Sequence, residues 1–292
     1  MPDTSSDNQI NTRRWFLVGT LGAGAAAVTG TVLAVTAGSS GSPAPAAAPG
    51  APASPVAPHP GPAAVAAQGR PPAVYRLRPI AGDSSLGAPA ARPEVRTHAE
   101  FTLPGKARSI ALTFDDGPHP EYTPKVLAAL RKHGVQATFF VIGENAAAFP
   151  GLLHDIAAEG HVVANHSYTH PQLTKLSRAG VKDQLGRTSD VIEKVLGAPP
   201  RWCRAPYGDW DRPSLTECAA LGMEPLGWSI DTNDWARPGT SRIEAAVTSG
   251  VEPGSVILQH DGGGDRSQTV DAVSSYLPRL LERGYTFVRP HV

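Results

Sequence analysis

The sequence predicts an α/β fold with a mainly parallel sheet, of the β/α-barrel type. One observation is a repeated unit made of an amphipathic segment, a glycine and a short apolar run. Alternation of helix and strand indicates parallel strands joined by crossover helices. A second observation is that four polar motifs begin where an apolar run ends. Chemistry at the carboxyl ends of parallel strands is the arrangement of a β/α barrel.

The repeated unit occurs four times. In the first copy, residues 123–133 place Val126, Leu127 and Leu130 on one helical face, Gly134 is suited to a C-cap, and residues 137–142 form an apolar strand. The other copies have the same order of helix, glycine and strand: 150–159, Gly160 and 161–164; 213–221, Gly222 and 223–230; 267–283, Gly284 and 285–288. A longer helix is predicted at 177–196, and further strands at 109–114 and 255–259.

The composition divides the 292 residues into three parts. Residues 38–69 are dominated by Ala, Pro, Gly and Ser, a composition that buries too little apolar surface to order the chain. Residues 71–99 are interrupted by Pro79, Pro89 and Pro93. We therefore predict a largely disordered linker over 38–99 and one folded domain over 100–292.

The N-terminal segment, residues 1–37, has the pattern of a twin-arginine export signal. Arg13 and Arg14 precede a weakly apolar run, 16–37, rich in Ala, Gly, Val and Thr. The alternative is a retained membrane-spanning anchor, since the run is about long enough to cross a bilayer. We expect export of a bacterial type, to a secreted or cell-wall-associated location, with no other membrane contact.

Charge and cysteine content exclude several classes of function. Lys plus Arg number 26 and Asp plus Glu number 26, so the formal net charge is zero, which argues against a nucleic-acid partner. Two cysteines, Cys203 and Cys218, are too few for a disulfide scaffold or a thiolate zinc site. A single disulfide between them and two buried free thiols are both open.

Three residues from two motifs have the ligand types of a catalytic zinc site. Asp116 lies in the motif TFDDGP, and His166 and His170 are four residues apart in HSYTH. One carboxylate and two imidazoles suit zinc with a coordination position left open for water, and other divalent metals such as Co²⁺ also bind such a set. The residue after His166 is Ser167, so the glutamate of the HExxH metalloproteases is missing.

The full set of five motifs, TFDDGP, HSYTH, RAPYG, DTNDW and LQHD, resembles the polysaccharide deacetylase family, carbohydrate esterase family 4. The resemblance covers roughly residues 100 to 290, and the coincidence of five ordered motifs makes it specific. It implies a distorted, incompletely closed (β/α)7 barrel. It also points to Asp116, His166 and His170 as the metal ligands.

The resemblance implies a role for each remaining polar motif residue. Asp115 is the general base, with capping of the following turn as the alternative, and His260 is the general acid that protonates the departing amine. Arg204 pairs with Asp115. Either Asp234 or Asp231 polarises His260 or braces Arg204; Asp234 is favoured for the histidine. The backbone N–H of Tyr207 is the oxyanion donor.

Trp235 and Leu258 are predicted to wall a small pocket for the acetyl methyl group, and ordinary core packing is the alternative for both. The glycine run 262–264 lacks the Lys-Ser/Thr ending of a phosphate-binding loop, so we interpret it as a flexible surface turn.

These residues predict a metal-dependent hydrolase that removes N-acetyl groups from N-acetylglucosamine-type residues of a polysaccharide, either peptidoglycan or chitin oligomers. Two alternatives are an acetylxylan O-deacetylase and a catalytically inactive wall-binding module. A monomer with a polysaccharide substrate is expected.

Overall fold

The computed structural model describes residues 92–105 and 107–291. The predicted signal and residues 38–91 of the predicted linker lie outside the described residues. The described end of the linker packs on the domain, because Ala99 is buried and the Arg96 guanidinium donates to the Glu224 carboxylate at 2.7 Å. The described helices include none with both the length and the apolar content needed to cross a bilayer.

Eight strands and seven helices alternate along the described chain. The strands are β1 Ser109–Asp115, β2 Thr138–Val141, β3 Val162–Asn165, β4 Trp202–Cys203, β5 Glu224–Pro225, β6 Ile230–Asp231, β7 Val256–His260 and β8 Thr286–Phe287. The helices are α1 Tyr122–Lys132, α2 Gly143–Ala148, α3 Pro150–Ala158, α4 Arg178–Leu196, α5 Arg212–Ala220, α6 Thr240–Gly250 and α7 Ser267–Glu282.

All paired strands are parallel, in the order β5-β4-β3-β2-β1-β7-β6, and β8 pairs with the start of β1. The seven strands of this path form a curled half-barrel, which confirms the predicted fold class. β5 and β6 lie at opposite edges of the sheet although only residues 226–229 separate them. One extended stretch therefore crosses the gap between the two edges.

The crossing also shows that one predicted strand is wrong. Residues 223–230 were expected to form a single strand, and instead they supply β5 and the start of β6, which pair with different partners, β4 and β7. Between the two strands, the Gly227 N–H donates to the Glu100 carbonyl and the Ser229 N–H to the Val256 carbonyl at 2.9 Å. The apolar run is interrupted by a bend at Ser229, and no single neighbouring strand pairs with all of it.

The sheet has two faces with different contents, as strand alternation requires. Ile110, Leu112 and Phe114 of β1 pack outward with the helices in the main apolar core. Ala111 belongs to a smaller inner cluster with Phe140, Ala164, Trp202, Leu226 and Val256. Thr113 and Asp115 alternate with Ala111, so both project from the inner face at the carboxyl end of β1.

The helices confirm the predicted periodic segments within one or two residues. Ser177 caps α4 by accepting the Gly180 N–H, and the four glycines predicted to end helices all have positive φ. The sequence reading missed α2, α6 and the two-residue β4. β4 is too short to show an alternating pattern.

Cys203 and Cys218 are two free, buried thiols. The Cys218 thiol donates to the Met223 carbonyl at 3.4 Å, and burial raises the pKa of this thiol well above its usual range. Of the two states that the sequence left open, the structure has the unbonded one.

Candidate active site

Asp116, His166 and His170 meet at the carboxyl end of the sheet. The Asp116 Oδ1 atom lies 3.5 Å from His166 Nε2 and 3.3 Å from His170 Nε2, and one ligand atom from each residue lies within 4.8 Å of the others. Asp116 Oδ1 is buried without a hydrogen-bond partner among the described residues. A buried carboxylate oxygen with two facing imidazole nitrogens fits a divalent cation, because such an oxygen otherwise lacks compensation for its desolvation.

His166 is held in the form that a ligand requires. Its Nδ1–H donates to the Arg204 carbonyl at 2.8 Å, which leaves Nε2 with its lone pair directed toward Asp116. Burial lowers the pKa of His166 to about 3, against the opposing charge of Asp116. The imidazole is therefore neutral at ordinary pH, as metal binding needs.

The residues around the site have an unusual backbone. Six non-glycine residues of the described chain have positive φ: Asp116, Ser167, His170, Tyr207, Asn233 and Arg237. All six lie in the loops that carry the predicted motifs. For residues with a Cβ this region is sparsely populated, and such residues cluster at functional sites.

Asp115 and Arg204 form a buried ion pair beside the three ligands. Arg204 Nη1 donates to Asp115 Oδ1 at 2.7 Å, and the Arg204 side chain is fully buried. Burial raises the pKa of Asp115, although the charges of Arg204 and His260 oppose the shift. Asp115 Oδ2 lies 3.6 Å from His166 Nε2, so its second oxygen faces the site.

Every donor nitrogen of Arg204 has a partner. Nη1 also donates to Thr113 Oγ1 at 2.8 Å, Nε to the Leu226 carbonyl at 3.1 Å and Nη2 to the Gly227 carbonyl at 2.7 Å. The guanidinium carbon lies 4.1 Å from the centre of the Phe140 ring. Arg204 is therefore an interior residue, and the chain crossing between β5 and β6 supplies two of its acceptors.

His260 and Asp234 form a second buried pair. His260 Nδ1 donates to Asp234 Oδ1 at 2.7 Å, and Asp234 Oδ2 accepts from the His260 N–H at 2.9 Å and from Thr269 Oγ1 at 2.7 Å. Burial alone would lower the pKa of His260, but the hydrogen bond and charge of Asp234, with Asp115 and Asp116, raise it to about 9. His260 is thus protonated at neutral pH.

Asp231 is placed differently. Its Oδ1 accepts the Asn233 N–H at 2.8 Å, and no hydrogen bond among the described residues joins it to His260 or Arg204. Asp231 therefore shapes the turn that delivers Asp234, while Asp234 contacts the histidine.

Tyr207 occupies a tight turn after Pro206, with φ 63° and ψ 6°. In this turn the Gly208 N–H donates to the Ala205 carbonyl at 3.0 Å, whereas the Tyr207 N–H has no acceptor among the described residues. The Tyr207 ring lies edge-on to His170, with 4.9 Å between ring centres. An N–H without an acceptor in the protein is available to donate to an oxyanion, so the predicted role of Tyr207 stays a prediction.

Trp235 is 56% exposed, so the alternative of core packing is wrong for this residue. Leu258 is buried on the inner face of β7, two residues before His260. Both are on the chain segments that supply His260 and its partner, and their predicted contact with an acetyl group stays a prediction.

Sequence reasoning missed several residues that support the site. Thr113 could have been found from its alternation with Asp115 on β1. Thr269, Asn145 and Arg266 are single polar residues on helices or loops, with no motif to mark them. Gly262 is buried against the Asp116 backbone, so the interpretation of the glycine run as a surface turn is wrong at this position.

The Arg204–Asp115 pair generates a test of stability. Arg204→Met leaves Asp115 buried without its counter-ion, and we expect a loss of about 3–5 kcal/mol in unfolding free energy. Asp115→Asn leaves the guanidinium unpaired and also destabilises the fold. The double variant removes both charges, so its loss should fall short of the sum of the single losses by about 1 kcal/mol or more. Denaturant unfolding of the metal-free proteins measures this, and strictly additive losses would contradict the coupling.

Comparison with known proteins agrees with this geometry. Residues 102–226 match the family model described as polysaccharide deacetylase. A chitooligosaccharide deacetylase from Bradyrhizobium sp. (strain ANU 289) is 45% identical over 190 residues, which cover 61% of this chain and 87% of that protein. The crystal structure of the Bc1960 peptidoglycan N-acetylglucosamine deacetylase superposes with a TM-score of 0.63 at 39% identity, covering 65% of this chain and 89% of that one.

A further solved structure is of a relative described as a pseudoenzyme. It is a mutant of BA3943, described as a CE4 family pseudoenzyme with restored enzymatic activity, and it matches at 32% identity with a TM-score of 0.60, covering 64% of this chain and 67% of that one. Taken together, the matched residues, the identity and the shared fold show that this chain belongs to the polysaccharide deacetylase family.

Proposed function

We propose that the protein is a metal-dependent deacetylase that hydrolyses the N-acetyl groups of N-acetylglucosamine-type residues in a polysaccharide. One observation carries the proposal: a site with three possible metal ligands lies beside the buried pair Asp115–Arg204, and a second buried pair, His260–Asp234, lies next to Asp115 on β7. The first pair offers a carboxylate that can accept a proton, and the second offers an imidazolium that can donate one. Amide hydrolysis needs both operations.

Asp116, His166 and His170 would hold the metal, for which we propose Zn²⁺, with Co²⁺ as a substitute. When bound, a divalent cation at such a site lowers the pKa of water and polarises the substrate carbonyl. Asp115, oriented by Arg204, takes the proton of the attacking water. The Tyr207 N–H donates to the oxygen that becomes negative, and His260 gives its proton to the departing amine.

The alternative function is that of a catalytically inactive wall-binding module. The similarity to a pseudoenzyme makes this alternative worth testing. A binding module has no need for a desolvated carboxylate and an imidazolium on either side of a metal site. Burying these charged groups costs free energy, which only their pairing offsets. The complete set of Asp115, Asp116, His166, His170, Arg204 and His260 therefore favours an enzyme.

The metal centre and the base can be separated by mutation. We expect chelation to abolish acetate release and Zn²⁺ or Co²⁺ to restore it. His166→Ala and His170→Ala should lose the metal, whereas Asp115→Asn should retain it and lose roughly 10²- to 10⁴-fold in kcat. Metal content per chain and kcat are the measurements. Full activity in a metal-free preparation would remove the metal from the mechanism.

The acid role of His260 predicts a dependence on the leaving group. His260→Ala should lower the rate on N-acetyl substrates by roughly 10² or more, with a much smaller loss on activated aryl acetates, whose leaving groups depart without a proton. Equal losses on both substrates would exclude this role.

The pH dependence of kcat gives a second test of the proposed acid role of His260. An acid must be protonated to act, so activity that depends on His260 is present below its pKa, about 9, and is lost as the pH rises through that value. Asp234→Asn removes the carboxylate that raises the pKa, so the alkaline limb should move to lower pH. If the fall in kcat at alkaline pH occurs at the same pH in Asp234→Asn, then the His260–Asp234 pair does not set it.

The substrate class rests on the relatives, one named for chitooligosaccharides and one for peptidoglycan N-acetylglucosamine. We compare acetate release from peptidoglycan, chitin oligomers and acetylated xylan at equal acetyl concentration, with Asp115→Asn as the blank. The expected result is preference for an amino-sugar polymer, with peptidoglycan first. A clear preference for xylan would replace the proposal with the acetylxylan esterase alternative.

Export and a location outside the membrane are also proposals, supported by Arg13, Arg14 and the apolar run after them. Changing both arginines to lysine should leave precursor in the cytoplasm with an active catalytic domain, detected by fractionation and acetate release. Normal export of the double variant would instead indicate a general secretory signal or an anchor.

A further inference from the structure

The glycine run after His260 packs directly against the residue placed as a metal ligand. A Cβ added to Gly262 would lie 2.0 Å from the Asp116 carbonyl oxygen and 2.4 Å from its carbonyl carbon. A Cβ added to Gly263 would lie 2.5 Å from Asp116 Oδ2. At Gly262 a Cβ would collide with the main chain, and at Gly263 it would force the Asp116 carboxylate to move. The two glycines therefore let one backbone approach both the main chain and the carboxylate of Asp116.

Arg266 holds these glycines in position. Its Nε donates to the Gly262 carbonyl at 2.6 Å and its Nη2 to the Gly263 carbonyl at 2.9 Å, while Nη1 has longer contacts to the Trp235 and Asp265 carbonyls at 3.4 and 3.5 Å. Arg266 is 4% exposed, and among the ion pairs of the described residues none includes it. A buried guanidinium satisfied by carbonyl groups acts as a rigid fork on those groups.

Asp116 is supported from the other side as well. Asn145 of α2 donates to the Asp116 carbonyl at 3.0 Å, and the Gly117 carbonyl accepts the Ile142 N–H at 2.9 Å. On the β7 side, the Asp261 N–H donates to the Asp115 carbonyl at 3.1 Å. The positive-φ turn at Asp116 is therefore clamped between the end of β2 and the segment after β7.

We propose that Gly262, Gly263 and Arg266 form a positioning device, here called the glycine brace, that sets the place of the Asp116 carboxylate and thereby the affinity of the site for its metal. The inference rests on the proposed metal centre. Residues that orient a ligand without touching the metal typically change affinity by roughly 10- to 100-fold when altered. Arg266 and the glycines contact Asp116 or each other, and none is placed among the reacting groups.

The chain provides a matched pair of variants. Gly263 and Gly264 both have positive φ, 70° and 141°, so alanine is strained at either position. Only at Gly263 would the new methyl group meet the Asp116 carboxylate; at Gly264 the nearest atom is Arg266 Nη2 at 3.6 Å. Backbone strain is the larger at Gly264, because a φ of 141° is less accessible to alanine than one of 70°. A weaker affinity in Gly263→Ala than in Gly264→Ala therefore reports contact with Asp116 and not backbone strain.

The measurement is the dissociation constant of Zn²⁺ from the metal-free protein, by competition with a chromogenic chelator, together with the unfolding midpoint of each metal-free variant. Gly263→Ala should bind Zn²⁺ at least roughly 10-fold more weakly than Gly264→Ala. Affinities of the two variants within about twofold of each other would overturn the brace. If the unaltered protein binds no Zn²⁺, or binds it unchanged after Asp116→Ala, the proposed metal centre fails and the brace fails with it.

Arg266→Lys keeps the inference testable if Gly263→Ala does not fold. A lysine keeps the charge but cannot hold two carbonyl groups in the fixed geometry of a guanidinium. Zn²⁺ should bind roughly 10-fold more weakly, while Arg279→Lys, at a largely exposed arginine of α7, should leave the affinity unchanged. Equal affinity in the two lysine variants would overturn the proposal even though the enzyme stays a metal-dependent deacetylase.

Discussion

Both the barrel and the site depend on the hydrogen bonds and the ion pair made by the buried guanidinium of Arg204. It contacts Asp115 and Thr113 of β1 and the carbonyls of Leu226 and Gly227 in the chain crossing. The backbone carbonyl of Arg204 accepts a hydrogen bond from His166 Nδ1. A single residue thus links Asp115, the proposed base, and His166, a proposed metal ligand, to the segment that spans the two edges of the sheet. Its charge is tolerable inside the protein because each of its three nitrogens donates a hydrogen bond and the Asp115 carboxylate is its counter-ion.

The residues of the site come from both sides of β1 in the sheet. The proposed metal ligands and Tyr207 come from the ends of β1, β3 and β4, whereas His260 and Asp234 come from β7 and the turn after β6. Because β1 pairs with both β2 and β7, Asp115 lies at the centre of the arrangement and His260 is its direct Cα partner in the register. Attack on the carbonyl and protonation of the leaving group can therefore proceed from opposite sides of a bound acetyl group.

Much of this arrangement could be predicted from the residues. Long apolar runs and amphipathic segments mark β1, β2, β7, α1, α4 and α7, because burial on a strand or a helix face imposes a period on the sequence. The motif residues Asp116, His166 and His170 do lie together, and Asp234 does contact His260. The split of residues 223–230 between two partners was not predictable, because an extended apolar run looks the same with one neighbour or two. Contacts made by backbone alone, such as Gly262 against Asp116, leave no pattern beyond the presence of glycine.

The six non-glycine residues with positive φ have a consequence for the evolution of this chain. For the four that are not Asn or Asp, this backbone conformation costs on the order of 1 kcal/mol, and replacement by glycine would relieve that cost wherever the side chain makes few other contacts. The strain is concentrated at His170, Tyr207 and their neighbours, so several substitutions that inactivate the enzyme would also stabilise the fold. A gene copy released from selection for catalysis would accumulate such changes without unfolding. Relaxed selection on these strained residues is therefore one route by which a pseudoenzyme could arise while it keeps this barrel.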